Sequence, residues 1–207
     1  MIQLNKLTTG YSRDKPLLKD FTYQFDSKIY GILGESGCGK STLLRTIAGL
    51  MYPLDGIILV DGKPLKKAAK NNIYMMHQNY TSFNWMNCVD NILISKKIQH
   101  KKITKEDVQL AEELLNKVGI YEHRNKYPSQ LSGGMRQRLA LARTIYVKPD
   151  IILMDEPLSA LDDITRTKMQ NIILDLHKET NNTIIMVTHS KEEANKMCDY
   201  IINLNNI

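Results

Sequence analysis

The segment that most restricts the fold is Ile29-Tyr30-Gly31-Ile32-Leu33, an apolar run that passes directly into Gly34-Glu35-Ser36-Gly37-Cys38-Gly39-Lys40-Ser41-Thr42. After it, Thr42 to Ala48 has helical spacing with little to break it, and Gly49 is a natural stop. The Gly-x-x-x-x-Gly-Lys-Ser/Thr spacing belongs on a loop between a buried strand and a helix, so the order strand, loop, helix is set before any other element is placed. Its glycines let successive backbone N–H groups point inward at phosphate oxygens, aided by the positive end of the following helix. Lys40 is placed to reach β- and γ-phosphates, and the Ser41 hydroxyl suits a magnesium ion bridging them. A glycine-rich turn with no ligand would not need Lys and Ser at these two positions.

Other stretches fill in an α/β pattern. Ile2-Leu4 and Phe21-Tyr23-Phe25 alternate as half-buried strands, and Gly56 to Val60 and Ile73 to Met76 read as further strands. Between Asn87 and Gly119 the pattern turns helical, with Val108, Ala111, Leu114, Leu115 and Val118 on one expected apolar face. Strands are then expected at Ile151 to Met154, Thr183 to Val187 and Tyr200 to Leu204. Helices are expected at Arg136 to Tyr146 and at Ile164 to His177, the second carrying Met169, Ile172, Ile173 and Leu176 on one side. Strands alternating with helices imply a mainly parallel, covered sheet.

Ile151-Ile152-Leu153-Met154 ends in Asp155-Glu156. An acidic pair after a strand is ordinarily a helix cap or a surface charge, but beside a phosphate loop it takes on chemistry. Asp155 suits a water-mediated Mg²⁺ contact, and Glu156 suits a general base or water-orienting group for attack on a γ-phosphate.

The 207 residues, 43% hydrophobic and 24% charged, fit one large domain with a real core. No apolar run approaches the roughly 20 residues of a membrane helix, and the N-terminus shows no secretory signal, so a cytoplasmic setting is expected. Cys38, Cys88 and Cys198 are few and far apart, the pattern of reduced thiols. The net charge of +6 includes a cluster at Lys96, Lys97, Lys101, Lys102 and Lys105. No aromatic residues interleave it, so it reads as a solvated face rather than a nucleic-acid surface.

Leu131-Ser132-Gly133-Gly134-Met135 lies between the phosphate loop and the acidic strand. With that stretch the whole chain resembles the ATP-binding cassette (ABC) family of ATPases. The resemblance implies a P-loop NTPase cassette over residues 1–207, with a mainly parallel sheet core, N-terminal antiparallel strands and a helical subdomain at about residues 87–146. It implies that ATP is held by Tyr11, as an adenine-stacking aromatic, and by Gly34, Glu35, Ser36, Gly37, Cys38, Gly39, Lys40, Ser41 and Thr42. Mg²⁺ is expected at Ser41, Gln78 and Asp155, with Glu156, His189 and Gln78 in the catalytic set. The signature Leu131, Ser132, Gly133, Gly134 and Met135 is expected to complete a partner cassette's ATP site, and Asp162, in Ser159-Ala160-Leu161-Asp162, to cross between subunits.

Leu-Ser-Gly-Gly-Met-Arg-Gln-Arg, Met-Asp-Glu-Pro-Leu-Ser-Ala-Leu-Asp-Asp-Ile-Thr-Arg and Trp85 resemble importer ATPases of the nitrate, sulfonate and taurine type. That implies a second cassette, a separate integral membrane permease, an extracytoplasmic solute-binding protein, and a place on the inner face of the cell membrane. Phe83 and Trp85, within the apolar-rich stretch Asn79 to Ile94 that also holds Tyr80 and Met86, suit a groove for a permease helix; Val89 and Ile92 suit core packing. The sequence ends soon after its last expected strand, so the regulatory extension of some importer cassettes is not expected. An exporter or lipoprotein-release motor would use the same ATP chemistry. A cassette acting on nucleic acid or ribosomes would be expected to carry a coiled-coil insert or a second cassette, and a small-molecule kinase would need neither the signature nor Asp162.

Overall fold

A computed structural model describes residues 1–65, 72–77 and 82–206 of the chain. Along it, β1 (Ile2–Thr9), β2 (Leu18–Phe25) and β3 (Ile29–Leu33) precede α1 (Lys40–Ile47), and β4 (Asp55–Val60), β5 (Lys63–Pro64) and β6 (Ile73–Met76) follow. Next come α2 (Cys88–Ile92), α3 (Ile94–Ile98), α4 (Lys105–Lys117) and α5 (Gly133–Val147). The remainder is β7 (Ile151–Asp155), α6 (Asp163–Thr180), β8 (Thr183–Val187), α7 (Lys191–Met197) and β9 (Tyr200–Asn203). These form two compact units, one of Met1–Met75, Pro149–Pro157 and Leu174–Ile207, the other of Met76–Lys148 and Leu158–Ile173.

The first unit holds two sheets, an antiparallel one in the order β2-β1-β4-β5 and a second in the order β6-β7-β8-β3-β9. β3 pairs in parallel with β8 and β9, and β7 with β8. Every residue of β7 and β8 is buried, as a parallel sheet covered on both faces requires. Leu43, Leu44 and Ile47 of α1 join Ile32, Leu153, Ile185 and Val187 in one core, which Ile2, Leu4 and Phe25 extend to the antiparallel sheet. On β3, a Cβ at Gly31 would stand 2.9 Å from the Cys198 Sγ and 3.4 Å from the Ala194 Cβ, so glycine lets the end of α7 approach the strand.

In the second unit Ala111, Leu115 and Val118 of the α4 segment are fully buried and Leu114 nearly so. Val108, expected on the same face, is instead 37% exposed, because it sits in the first helical turn, ahead of the stripe that is covered. Two further differences concern boundaries. α7 had no sequence-based expectation, and Leu204 opens a short 3₁₀ turn, Leu204–Asn206, instead of closing β9. The cysteines are free, and burial raises the thiols of Cys88 to about 11 and Cys198 to about 12. Among the described residues no helix is long and apolar enough to cross a membrane.

Two lysines of the basic cluster are engaged. Lys97 pairs with Asp90 at 2.7 Å, and Lys96 with Asp107 at 2.5 Å. Asp107 also closes a capping box with Thr104 and accepts the Tyr146 hydroxyl at 3.2 Å. The Lys96 hydrogen bond, followed by the Thr104 backbone N–H, holds the Asp107 carboxyl down to about 2. A carboxyl depressed on folding contributes stability above the ordinary aspartate value of about 3.9 and loses it as pH falls through the folded value. The melting-temperature difference between wild type and Asp107→Asn is therefore expected to hold from pH 7 to 5 and close as pH approaches 2. A difference that stayed constant across that range would reject this assignment.

Candidate functional site

Parallel register sets the first part of the site. Ile32 pairs with Val187 and Val187 with Asp155, so β3, β8 and β7 end side by side. Two backbone bonds carry the ladder one residue past the strands: the Thr188 N–H donates to the Ile32 carbonyl at 3.3 Å, and the Glu156 N–H to the Val187 carbonyl at 3.0 Å. The loop from Gly34 therefore leaves the sheet beside Asp155, Glu156 and His189.

Within the loop, Gly37 and Gly39 have φ of 85° and 102°, a left-handed backbone that favours glycine. Gly39 is the N-cap of α1 and supplies no side-chain acceptor, so the helix presents its first N–H groups uncapped. Lys40 is only 6% exposed, and its ammonium donates to the carbonyls of Gly34 at 2.8 Å and Glu35 at 2.6 Å. Carbonyl dipoles orient a buried ammonium without neutralising it, and among the described residues no ion pair involves Lys40. Uncapped N–H groups and an unneutralised cation in one loop fit a polyphosphate.

The Ser41 hydroxyl donates to the buried Asp155 carboxylate at 2.9 Å, which brings two hard oxygens together at the end of β7 and the start of α1. That donor set fits Mg²⁺. Next to it, Glu156 has φ 51°, a conformation costly for a residue with a Cβ. Its carboxylate lies 2.7 Å from the His189 Nε2; the Glu156 side chain is 17% exposed and the His189 side chain 51%. A cavity of about 190 Å³ opens beside this contact, lined among others by Gly34, Glu35, Thr188, His189, Asn203 and Asn205. Tyr11 belongs to the same unit and is 73% exposed, its ring available for stacking. Ser36 and Cys38 lie on the loop, and Thr42 is buried in α1. Gln78 lies outside the described residues, as does Tyr80.

The second unit gathers the remaining candidates. Leu131 is buried, and Ser132 caps α5 by accepting the Met135 N–H at 3.2 Å. That cap explains why the helix starts at Gly133, ahead of the expected Arg136. Gly133 has open space around it, while a Cβ on Gly134 would stand 3.1 Å from the Ala160 carbonyl oxygen. Gln137 accepts the Ala160 N–H at 3.2 Å. The signature and the segment Ser159 to Asp162 are thus packed against each other. Asp162 accepts the Thr165 N–H at 2.9 Å, and this backbone bond holds its carboxyl below the usual range. Gln137 and Asn205 were not singled out from the sequence. Asn205 gave a weak signal, lying in the turn-forming run Asn203-Leu204-Asn205-Asn206.

Comparison with known proteins bears on the family and the fold. The pattern of the ABC transporter family matches residues 18–159. The chain is 36% identical to the nitrate import ATP-binding protein NrtD of Synechococcus elongatus, over 84% of this chain and 64% of that protein. It is 42% identical to the taurine import ATP-binding protein TauB of a Jannaschia species, over 81% of this chain and 62% of that protein. The chain thus spans less than two thirds of the length of either relative. Its fold is similar to a dimeric structure of the ATP-binding cassette MJ0796 in a post-hydrolysis state bound to ADP and phosphate, with 28% identity and a TM-score of 0.88 over 98% of this chain and 94% of that one.

The two signature glycines should respond differently to added bulk. Gly133→Ala is expected to be neutral or stabilising by up to about 1 kcal/mol, the helix-propensity gain. Gly134→Val should cost about 1–3 kcal/mol by overpacking against Ala160 and Leu161. Urea denaturation of the two variants checks this; equal effects would mean that the close approach at Gly134 is not maintained.

Proposed function

The chain belongs to the ABC transporter family, and on that premise we propose that it is the ATP-binding and ATP-hydrolysing subunit of a transporter. In this reading two cassettes close on ATP and open after hydrolysis, and the cycle drives a small solute inward through a separate membrane permease. The observation that carries it is the Glu156–His189 contact at 2.7 Å, on the same sheet edge as Lys40 and the Ser41–Asp155 pair.

The residues divide the work as follows. N–H groups of the loop Gly34 to Thr42, other than that of Glu35, and the Lys40 ammonium hold the triphosphate, and Tyr11 stacks on adenine. Ser41, Asp155 and Gln78 would hold Mg²⁺, which would supply positive charge to offset that of the phosphates. Glu156 orients a water molecule and accepts its proton as the water oxygen bonds to the γ-phosphorus and the bond to the β–γ bridging oxygen breaks. His189 fixes the Glu156 carboxylate and faces the γ-phosphate.

The whole chain is read as one cassette with a helical subdomain at about residues 87–146. Leu131 to Met135 would face a partner cassette's γ-phosphate across the interface, with Ser132 and the N-terminus of α5 supplying donors, and Asp162 would cross beside them. The permease is supported by Trp85, 72% exposed and edge-on at 5.5 Å to the half-buried Phe83, so that the indole has open surface for a helix. The similarity to import proteins supports a place on the inner face of the cell membrane, and an extracytoplasmic solute-binding protein belongs to the same reading.

Glu156→Gln is expected to keep ATP binding while turnover falls at least about 100-fold, as loss of a general base entails. Wild-type turnover in that variant would remove Glu156 from the role. Purification of the tagged protein from its own cells in mild detergent, followed by mass spectrometry, should recover a multi-span permease; ribosomal or DNA-bound partners alone would overturn the transport reading.

A further inference from the structure

The peptide joining Gly34 to Glu35 is held at both ends. Its carbonyl oxygen, on Gly34, accepts the Lys40 ammonium at 2.8 Å. Its N–H, on Glu35, donates to the Asn205 Oδ1 at 2.9 Å. The next carbonyl, on Glu35, accepts Lys40 again at 2.6 Å. Asn205 sits 170 residues away in sequence, in the 3₁₀ turn that follows β9, and its own N–H donates to the Asn203 Oδ1 at 3.1 Å. The turn is brought there by β9, whose Asn203 pairs with Leu33, the last residue of β3 before the loop.

We propose that Asn205 is a positioning residue for ATP binding, one that fixes the plane of the Gly34–Glu35 peptide and through it the place of the Lys40 ammonium. The proposal rests on the ATPase reading of the phosphate loop and goes beyond it, since the acceptor for the Glu35 N–H comes from outside the loop. A planar peptide has its N–H and C=O on opposite sides, so an acceptor on one side and a cation on the other resist its rotation together. Without Asn205 the N–H turns to water, the two Lys40 acceptors lose their fixed orientation, and the loop must be re-ordered when a triphosphate binds. The close fit at Gly34 agrees with this: a Cβ there would stand 3.1 Å from the Asn205 Oδ1 and 2.6 Å from the Cys38 Sγ.

Because Asn205 acts on the ordering of the loop rather than on the reacting atoms, its loss should weaken binding and leave chemistry alone. Asn205→Ala is expected to raise the Kd for Mg-ATP roughly three- to tenfold, the worth of one hydrogen bond net of hydration. The value of kcat at saturating ATP should stay at wild-type level, and the melting temperature of the nucleotide-free protein should fall by no more than about 4 °C, the stability worth of one hydrogen bond. Hydrogen exchange at the Glu35 amide should quicken in Asn205→Ala and return to wild-type protection in Asn205→Asp, which keeps the acceptor oxygen. An unchanged Kd in Asn205→Ala would overturn the proposal, as would a parallel fall of affinity, kcat and melting temperature, which marks general damage to the fold. Failure of the underlying reading looks different: wild-type protein and Lys40→Ala would then bind Mg-ATP equally poorly, and the role of Asn205 would fall with it.

Discussion

Parallel pairing of β3, β8 and β7 is the constraint on which the site depends. Side chains in neighbouring parallel strands keep a fixed register, so the residues that follow each strand emerge together at one edge. Ile32, Val187 and Asp155 are aligned across the three strands. From that edge the chain continues into the phosphate loop, Thr188-His189 and Glu156. A shift of one residue in β8 would carry His189 to the opposite face and separate it from Glu156. The buried, β-branched and apolar content of β7 and β8 protects the register, since slippage would disturb a core covered on both sides.

Two local costs are carried at this edge. Lys40 is buried with carbonyl oxygens for partners, an arrangement stable enough to fold and still short of a counter-charge. Glu156 adopts a left-handed backbone, worth about 1–2 kcal/mol against it. Its N–H bond to Val187 and its side-chain contact with His189 offset that cost, and both exist only because β8 ends beside β7. Strain here coincides with the residue that the chemistry would use as base, the place where folds commonly tolerate it.

Much of this was legible in the sequence. The phosphate loop carries its glycines, Lys40 and Ser41 at fixed spacing because the loop is local, each residue acting within one turn of chain. The strand and helix order was equally readable, since burial periodicity is set by near neighbours. Val108 was misplaced because periodicity reports which residues share a helix face, not how far along the helix its covering partners extend. The start of α5 was missed by three residues, although Ser132 is a ready N-cap, because Gly133 and Gly134 are poor helix formers and mask it. α7 is short and carries Lys191, Glu192, Glu193, Asn195 and Lys196, so its apolar stripe is too thin to register.

By itself the sequence determined the class of fold, the phosphate loop, the acidic strand end and the signature stretch, all of which depend on residues close together along the chain. Tertiary structure alone decided that Gly134 packs against Ala160 and that Asn205 holds the Glu35 amide, and it gave the geometry of the Glu156–His189 and Ser41–Asp155 contacts, whose members the family resemblance had already grouped. Those contacts join residues between 26 and 170 positions apart, as Gly134 to Ala160 and Glu35 to Asn205 show. Sequence periodicity has no reach over such distances, whereas strand register and helix packing do, because they fix in space where each distant residue comes to lie.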